Sequence, residues 1–283
     1  MTNSPKHLLL EALEKRWKTC RAEFERCKAE FSNEAVHDVR VALRRLLSLV
    51  RLLHSISPRR RLRRLSRALK DQLDQFDDLR DTQVMLAEIS ETVAELPQLE
   101  AFQSHLKKVE KSLLRELRKW FKELDLKEVT RRIRKTRESL KEEEKADWSA
   151  PVLQSVDDAY LTAWKRFELV DPAQPASIHR VRVAFKKFRY MVEIIHPMLE
   201  DFPEANLKRM NGYQTLMGEI QDEEVFLQAL TDFDDSSSVP DPVRQFYESR
   251  HAEAISAYLM ERDALDNFWR RSPEEPFPWE KPK

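Results

Sequence analysis

Two segments of this sequence place a histidine and a row of basic side chains at the spacing of one helix face. Residues 36–42 read VHDVRVA, and residues 178–184 read IHRVRVA. On a helix with 3.6 residues per turn, each segment and its continuation gather these cations within a narrow sector. The first cationic stripe consists of His37, Arg40, Arg44 and Arg51. The second cationic stripe consists of His179, Arg182 and Lys186.

The chemistry that suits such a stripe is the binding of an anion with several charges. Few acidic residues stand among the cations at the i, i+4 spacing that would pair them, so the cations repel one another until an anion binds. Arginine suits phosphate because its planar guanidinium donates two parallel charge-assisted hydrogen bonds, and histidine donates one more. The pattern predicts a phosphate-rich polyanion as the ligand.

A basic helix face that is only solvated, with a structural histidine beside the core, is the alternative interpretation. The apolar residues of the first segment lie in the sector next to the stripe, so the cations emerge at the edge of a packed seam. These apolar residues are Val36, Val39, Leu43, Leu47 and Val50. The second segment repeats the arrangement, and this repetition favours binding over simple solvation.

Other basic residues extend the predicted surface on helical-wheel grounds alone. Glu193 stands at the position that matches Arg51, so we expect a lopsided site that is stronger on the first segment. The additional residues are Arg63, Arg64, Arg67, Arg189, Lys208 and Arg209.

Helices must position these stripes, and the composition favours helices. Only two glycines occur in 283 residues, which argues against β-hairpins, Rossmann glycine loops and P-loops. Apolar residues recur at three- and four-residue spacing, and the breaks fall at prolines. We predict an all-α protein with nine helices, one of which spans residues 59–93.

An internal duplication is visible in the sequence. Residues 36–53 align with residues 178–195 without a gap, and six of the 18 positions are identical. This predicts two pseudo-symmetric antiparallel bundles of about four helices each. The predicted divisions are a single domain at 1–271, its repeats at 1–145 and 146–271, and a proline-rich C-terminal arm at 272–283.

The formal charge is zero, with 50 basic and 50 acidic residues, but the charges are unevenly distributed. Residues 1–140 hold 32 basic and 22 acidic residues, a balance of +10, so the remainder carries −10. Cys20 and Cys27 are seven residues apart on one predicted helix, too far for a disulfide. No apolar run suits a signal peptide or a membrane span, so we predict a cytoplasmic protein without a membrane partner.

The paired motifs resemble the CHAD domain, a family named for a conserved histidine in an α-helical domain. The segments Leu79-Arg80-Asp81 and Ile220-Gln221-Asp222 resemble a further motif of that family. The resemblance implies two helical bundles with a basic groove or channel between them that binds long-chain inorganic polyphosphate. The ligand-facing residues that it implies by motif position are His37, Arg40, Arg44, Arg45, His179, Arg182, Lys186 and Lys187.

We therefore predict non-catalytic polyphosphate binding, with no cofactor and no metal, and an association with polyphosphate granules. One alternative is a metal-dependent phosphohydrolase, or an accessory subunit to a separate triphosphate-processing enzyme. Four carboxylates at helical spacing could hold Mg²⁺, although inter-helix ion pairs are the simpler interpretation. They are Asp71, Asp74, Asp78 and Asp81.

Nucleic-acid binding is the other alternative, because phosphodiester backbones attract the same cations. Base stacking would need exposed aromatic side chains. The only aromatic residues in the second segment are Phe185, Phe188 and Tyr190, and their spacing predicts core positions, so we expect nucleic acid not to be the ligand.

Overall fold

The computed structural model describes residues 4–142, 147–234 and 241–280, and these ranges contain ten α-helices, three short 3-10 helices and no β-strand. The prediction of an all-α protein is confirmed. The first six helices are α1 Pro5–Glu30, α2 Asn33–Ile56, α3 Arg60–Asp74, α4 Asp77–Thr92, α5 Glu100–Glu123 and α6 Leu126–Lys141. The last four are α7 Ser149–Glu168, α8 Pro175–Ile195, α9 Glu204–Asp234 and α10 Asp241–Glu261.

The single helix predicted over residues 59–93 is wrong, because the chain breaks between α3 and α4. Neither proline nor glycine marks the break. Phe76 occupies it, is 0% exposed, and directs its ring towards Phe24 and Trp120, with centroids 6.2 and 5.5 Å away. Burial of this ring holds the turn, and α4 then begins with two aspartates, which suit the positive end of a helix.

The apolar sector predicted for the first segment is confirmed. Helix α2 packs against both α1 and α3, and the five residues of that sector are at most 4% exposed. Helix α8 packs against α9 in the same way. Phe185, Phe188 and Tyr190 are buried in the core, as their spacing predicted.

Two compact units make up the chain, and they interleave along it. Unit 1 holds residues 1–83 and 109–155, and unit 2 holds residues 84–108 and 156–283. The end of α4 and the start of α5 therefore pack within unit 2, through Met85, Ile89 and Phe102 among others. The repeats predicted at 1–145 and 146–271 are divisions by sequence duplication and not by packing. They stay a prediction.

Aromatic stacking holds the C-terminal arm, which the structure describes as far as Glu280. The ring centroids of Phe277 and Trp279 are 4.5 Å apart with an interplanar angle of 5°, and the ring centroid of Phe277 also lies 4.8 Å from that of Trp269.

Cys20 and Cys27 of α1 are buried and form no disulfide. Within the described ranges, no helix has the length and apolar character needed to span a membrane.

Candidate polyanion-binding site

The first cationic stripe begins in the second turn of α2. The Ser32 side chain caps this helix by accepting a hydrogen bond of 3.2 Å from the backbone N–H of Ala35, which fixes the start of the helix and therefore the direction of the stripe. His37 is exposed at the near end, Arg44 is half-buried, and Arg51 is exposed at the far end. Arg45, beside the stripe, is exposed too.

Arg40, the central residue of the first stripe, is engaged by the protein itself. Its side chain is only 6% exposed, and its guanidinium forms an ion pair with Asp77 at the start of α4. Because the α3–α4 break places Asp77 there, the charge of Arg40 is neutralised within unit 1.

Positive charge surrounds His37. Partial burial lowers the pKa of His37, the charges of Arg80, Arg44 and Arg40 lower it further, and Asp38 opposes them. The imidazole is therefore neutral at pH 7, where it still donates one hydrogen bond.

Arg182, the central residue of the second stripe, has different surroundings. A methyl group placed on Gly218 of α9 would lie 3.9 Å from Nε and 4.0 Å from Nη2 of Arg182, so the guanidinium lies against a residue with no side chain. Its Nε is buried, and among the residues that the structure describes no acceptor reaches it. When the segments Leu79-Arg80-Asp81 and Ile220-Gln221-Asp222 are aligned with each other, Gly218 stands at the position that matches Asp77. The acid that neutralises Arg40 thus has no counterpart beside Arg182.

His179, at the near end of the second stripe, is exposed and hydrogen-bonds through Nδ1 to Oε1 of Gln221. Lys186 is half-buried and Lys187 is exposed.

Some of the basic residues that the helical wheel predicted around the second stripe interact with other side chains of the protein. Arg189 donates from Nε to Oε1 of Gln214 at 2.8 Å, and its Nη1 lies 3.7 Å from Glu193. Arg209 is exposed and donates to Oδ1 of Asn206 at 3.3 Å, and Lys208 is exposed. Of these residues, Lys208 and Arg209 present their charge to solvent.

Comparisons with known proteins identify the family and the fold of this chain. The sequence profile of the CHAD domain matches residues 11–231, which include both cationic stripes. The chain belongs to the CHAD domain family. A crystal structure of the CHAD domain from the plant Ricinus communis has a similar fold, with a TM-score of 0.67 and 18% sequence identity over 94% of this chain and 90% of that one. A search of curated proteins finds no match.

A second basic region of this CHAD domain involves α6, a helix in which the sequence predicted no site residue. Arg64 and Arg67 of α3 line a groove of about 400 Å³ that α6 completes, and no residue of the first stripe lines it. Arg63 is exposed outside this groove. We call it the α3–α6 groove. Its charged lining residues are Arg61, Arg64, Arg67, Asp71, Glu128, Arg131, Arg132 and Lys135.

The sequence does not point to the α6 cations, because Glu128 stands three and four residues before Arg131 and Arg132. This spacing is typical of a solvated helix face with ion pairs within the helix. A count of the basic residues on α6 that Glu128 does not pair could have indicated Lys135.

The described part of this CHAD domain holds no group of three or more His, Cys, Asp or Glu side chains that could bind a metal ion.

Proposed function

We propose that this CHAD domain binds inorganic polyphosphate without catalysis, through the two cationic stripes. The contrast between Arg40 and Arg182 carries the proposal. Arg40 has Asp77 as its counter-ion, whereas Arg182 has a buried Nε without an acceptor among the described residues and lies against Gly218. A buried charged donor without a partner costs free energy, and a phosphate oxygen removes that cost by accepting its hydrogen bond.

Arg182 is the proposed anchor, and the exposed cations around it and along the first stripe hold further phosphates. The buried state of Phe185, Phe188 and Tyr190 removes the stacking platform that single-stranded nucleic acid needs, which favours polyphosphate over RNA.

The family resemblance and the internal duplication support three further proposals. We propose that the halves are pseudo-symmetric repeats, that their stripes serve one basic groove, and that any triphosphate-processing activity belongs to a separate protein partner. We also propose a cytoplasmic location at polyphosphate granules.

Titration with long-chain polyphosphate over a series of salt concentrations tests the function. Six to eight phosphate contacts give a log–log slope of affinity against salt of about −5, at about −0.7 per contact. Arg182→Ala is expected to lower affinity about tenfold and to reduce the slope by about one contact. Arg180→Ala is the matched control, because it removes an exposed arginine two positions away and outside the stripe.

Absence of binding at low salt would refute the proposal, and so would equal losses in the Arg182→Ala and Arg180→Ala proteins. A phosphate-release assay with Mg²⁺ and Mn²⁺ addresses catalysis. Turnover that depends on the metal would replace simple binding by phosphohydrolase activity.

A further inference from the structure

The α3–α6 groove of unit 1 brings like charges together from two helices. Helix α3 contributes Arg61, Arg64 and Arg67, and α6 contributes three more cations, against two carboxylates. Arginines three and four residues apart on α3 already repel one another along that helix. The facing cations of α6 add to this repulsion, so the empty groove stores unfavourable electrostatic energy.

Pairing inside the groove is incomplete. Glu128 accepts hydrogen bonds of 2.7 Å from Arg131 and 2.8 Å from Arg132, and these bonds lower its pKa to about 2. Within the described part of the chain, Arg64 and Lys135 form no ion pair, and the same holds for Arg61 and Arg67. Four cations of the groove are thus available to an external anion.

The groove floor and the start of α3 reinforce the attraction for an anion. Leu65 is 1% exposed and Thr136 is 3% exposed, so buried side chains form the floor of the groove, and charges interact more strongly beside such a low-dielectric wall. The first turn of α3 carries no acidic residue, and the side chain of its N-cap residue, Arg59, forms no capping hydrogen bond. The positive end of the helix dipole is therefore not offset from within α3.

The layout of the groove indicates the length of its ligand. Arg59, just before α3, donates to the carbonyl oxygen of Ser139 at 2.7 Å, so the start of α3 lies beside the end of α6. Arg61 and Arg67 are six residues apart, which is about 9 Å along the helix. One phosphate cannot reach across that span, and Asp71 repels a chain that extends further along α3.

We propose that the α3–α6 groove is a second phosphate site, separate from the cationic stripes, that binds a short oligophosphate or the end of a longer polyphosphate chain. Arg64 and Arg67 donate from α3, and Lys135 donates from the opposite side. The site exists whether or not the stripes bind polyphosphate, because none of the stripe residues lines the groove.

Calorimetric titration with inorganic tripolyphosphate tests the site, with all variants built on Arg182→Ala to weaken the stripes. Adding Arg64→Ala and Lys135→Ala is expected to lower tripolyphosphate affinity about tenfold or more. Adding Lys127→Ala and Arg134→Ala instead is the charge-matched control, because it removes two cations of α6 that do not line the groove. Long-chain polyphosphate is titrated in parallel, to distinguish binding of a chain end from binding of a short oligophosphate. Single-stranded RNA is titrated as well, to distinguish a nucleic-acid site from an oligophosphate site.

Thermal unfolding provides an independent signature. Because the groove cations repel one another, the Arg64→Ala/Lys135→Ala protein is expected to unfold at the same or a higher temperature without ligand, and to gain less from tripolyphosphate than its parent. Unchanged tripolyphosphate affinity in this protein overturns the proposal. An equal loss in the Lys127→Ala/Arg134→Ala control overturns it as well. RNA binding in the groove as tight as that of tripolyphosphate does the same.

Discussion

At the scale of single residues, one arginine of a repeated motif has two different environments. Arg40 and Arg182 match in the duplication, yet Arg40 pairs with Asp77, whereas Arg182 lies against Gly218 and forms no ion pair with any residue that the structure describes. The first stripe is longer in sequence, which led us to expect the stronger site there. In the structure, the central guanidinium with a buried Nε and no acceptor among the described residues is that of Arg182 in the second stripe, and which stripe binds more tightly stays a prediction.

Restoring the missing acid tests this contrast. Gly218→Asp is expected to lower polyphosphate affinity about tenfold, because the new carboxylate pairs with Arg182 in place of the ligand. The position accepts a side chain, since an added Cβ would meet Arg182 at an ordinary contact distance of 3.9 Å. Gly218→Asn is the control of equal size without charge. Equal affinity of the two variants in a calorimetric titration would show that Arg182 is not the anchor.

At the scale of elements, the break between α3 and α4 decides where the acid of the first stripe lies. A continuous helix over residues 59–93 would carry Asp77 along the axis of α3. The turn at Phe76 instead starts a new helix, whose first residue reaches the guanidinium of Arg40. Packing of one aromatic ring thereby sets the electrostatics of the stripe.

Removing that ring is expected to be costly. Phe76→Ala should lower the free energy of unfolding by about 3–5 kcal/mol, the usual cost of deleting a fully buried phenyl ring. Gln75→Ala, next to it and exposed, should change stability by no more than about 0.5 kcal/mol. Denaturant unfolding measures both. A loss in Phe76→Ala as small as that in Gln75→Ala would show that Phe76 does not hold the break.

At the scale of the whole molecule, packing units and sequence repeats follow different divisions. The α4–α5 segment 84–108 joins unit 2 through its apolar faces. An ion network accompanies this packing, in which Arg250 of α10 contacts Glu88 of α4 and lies 2.9 Å from Glu223 of α9. Burial raises the pKa of Glu223 to about 7, against the opposing charge of Arg250.

This network predicts a pH dependence of stability. The pKa of Glu223 is higher in the folded chain than in the unfolded chain, where it is about 4.3. The contribution of this carboxyl group to the free energy of unfolding is therefore complete below a pH of about 4.3 and is lost as the pH rises through 7. Unfolding free energy should therefore fall between pH 5 and 7, by up to about 1.4 kcal/mol per pH unit from this group. Glu223→Gln should flatten the decline, whereas Glu248→Gln, exposed on α10 and not among the charges that shift the pKa of Glu223, should not. Parallel pH profiles of all three proteins would contradict the assignment.

The sequence by itself determined the helical class, the apolar faces of α2 and α8 and the family, because helical periodicity and a repeated local motif are written in neighbouring residues. Its prediction of which cations bind a ligand is still to be tested. Only the tertiary structure decided that Asp77 faces Arg40, that Gly218 faces Arg182, and that α6 completes a groove with Arg64. These pairings join residues far apart in the chain, and their geometry depends on how packed helices end and meet, which no local pattern specifies.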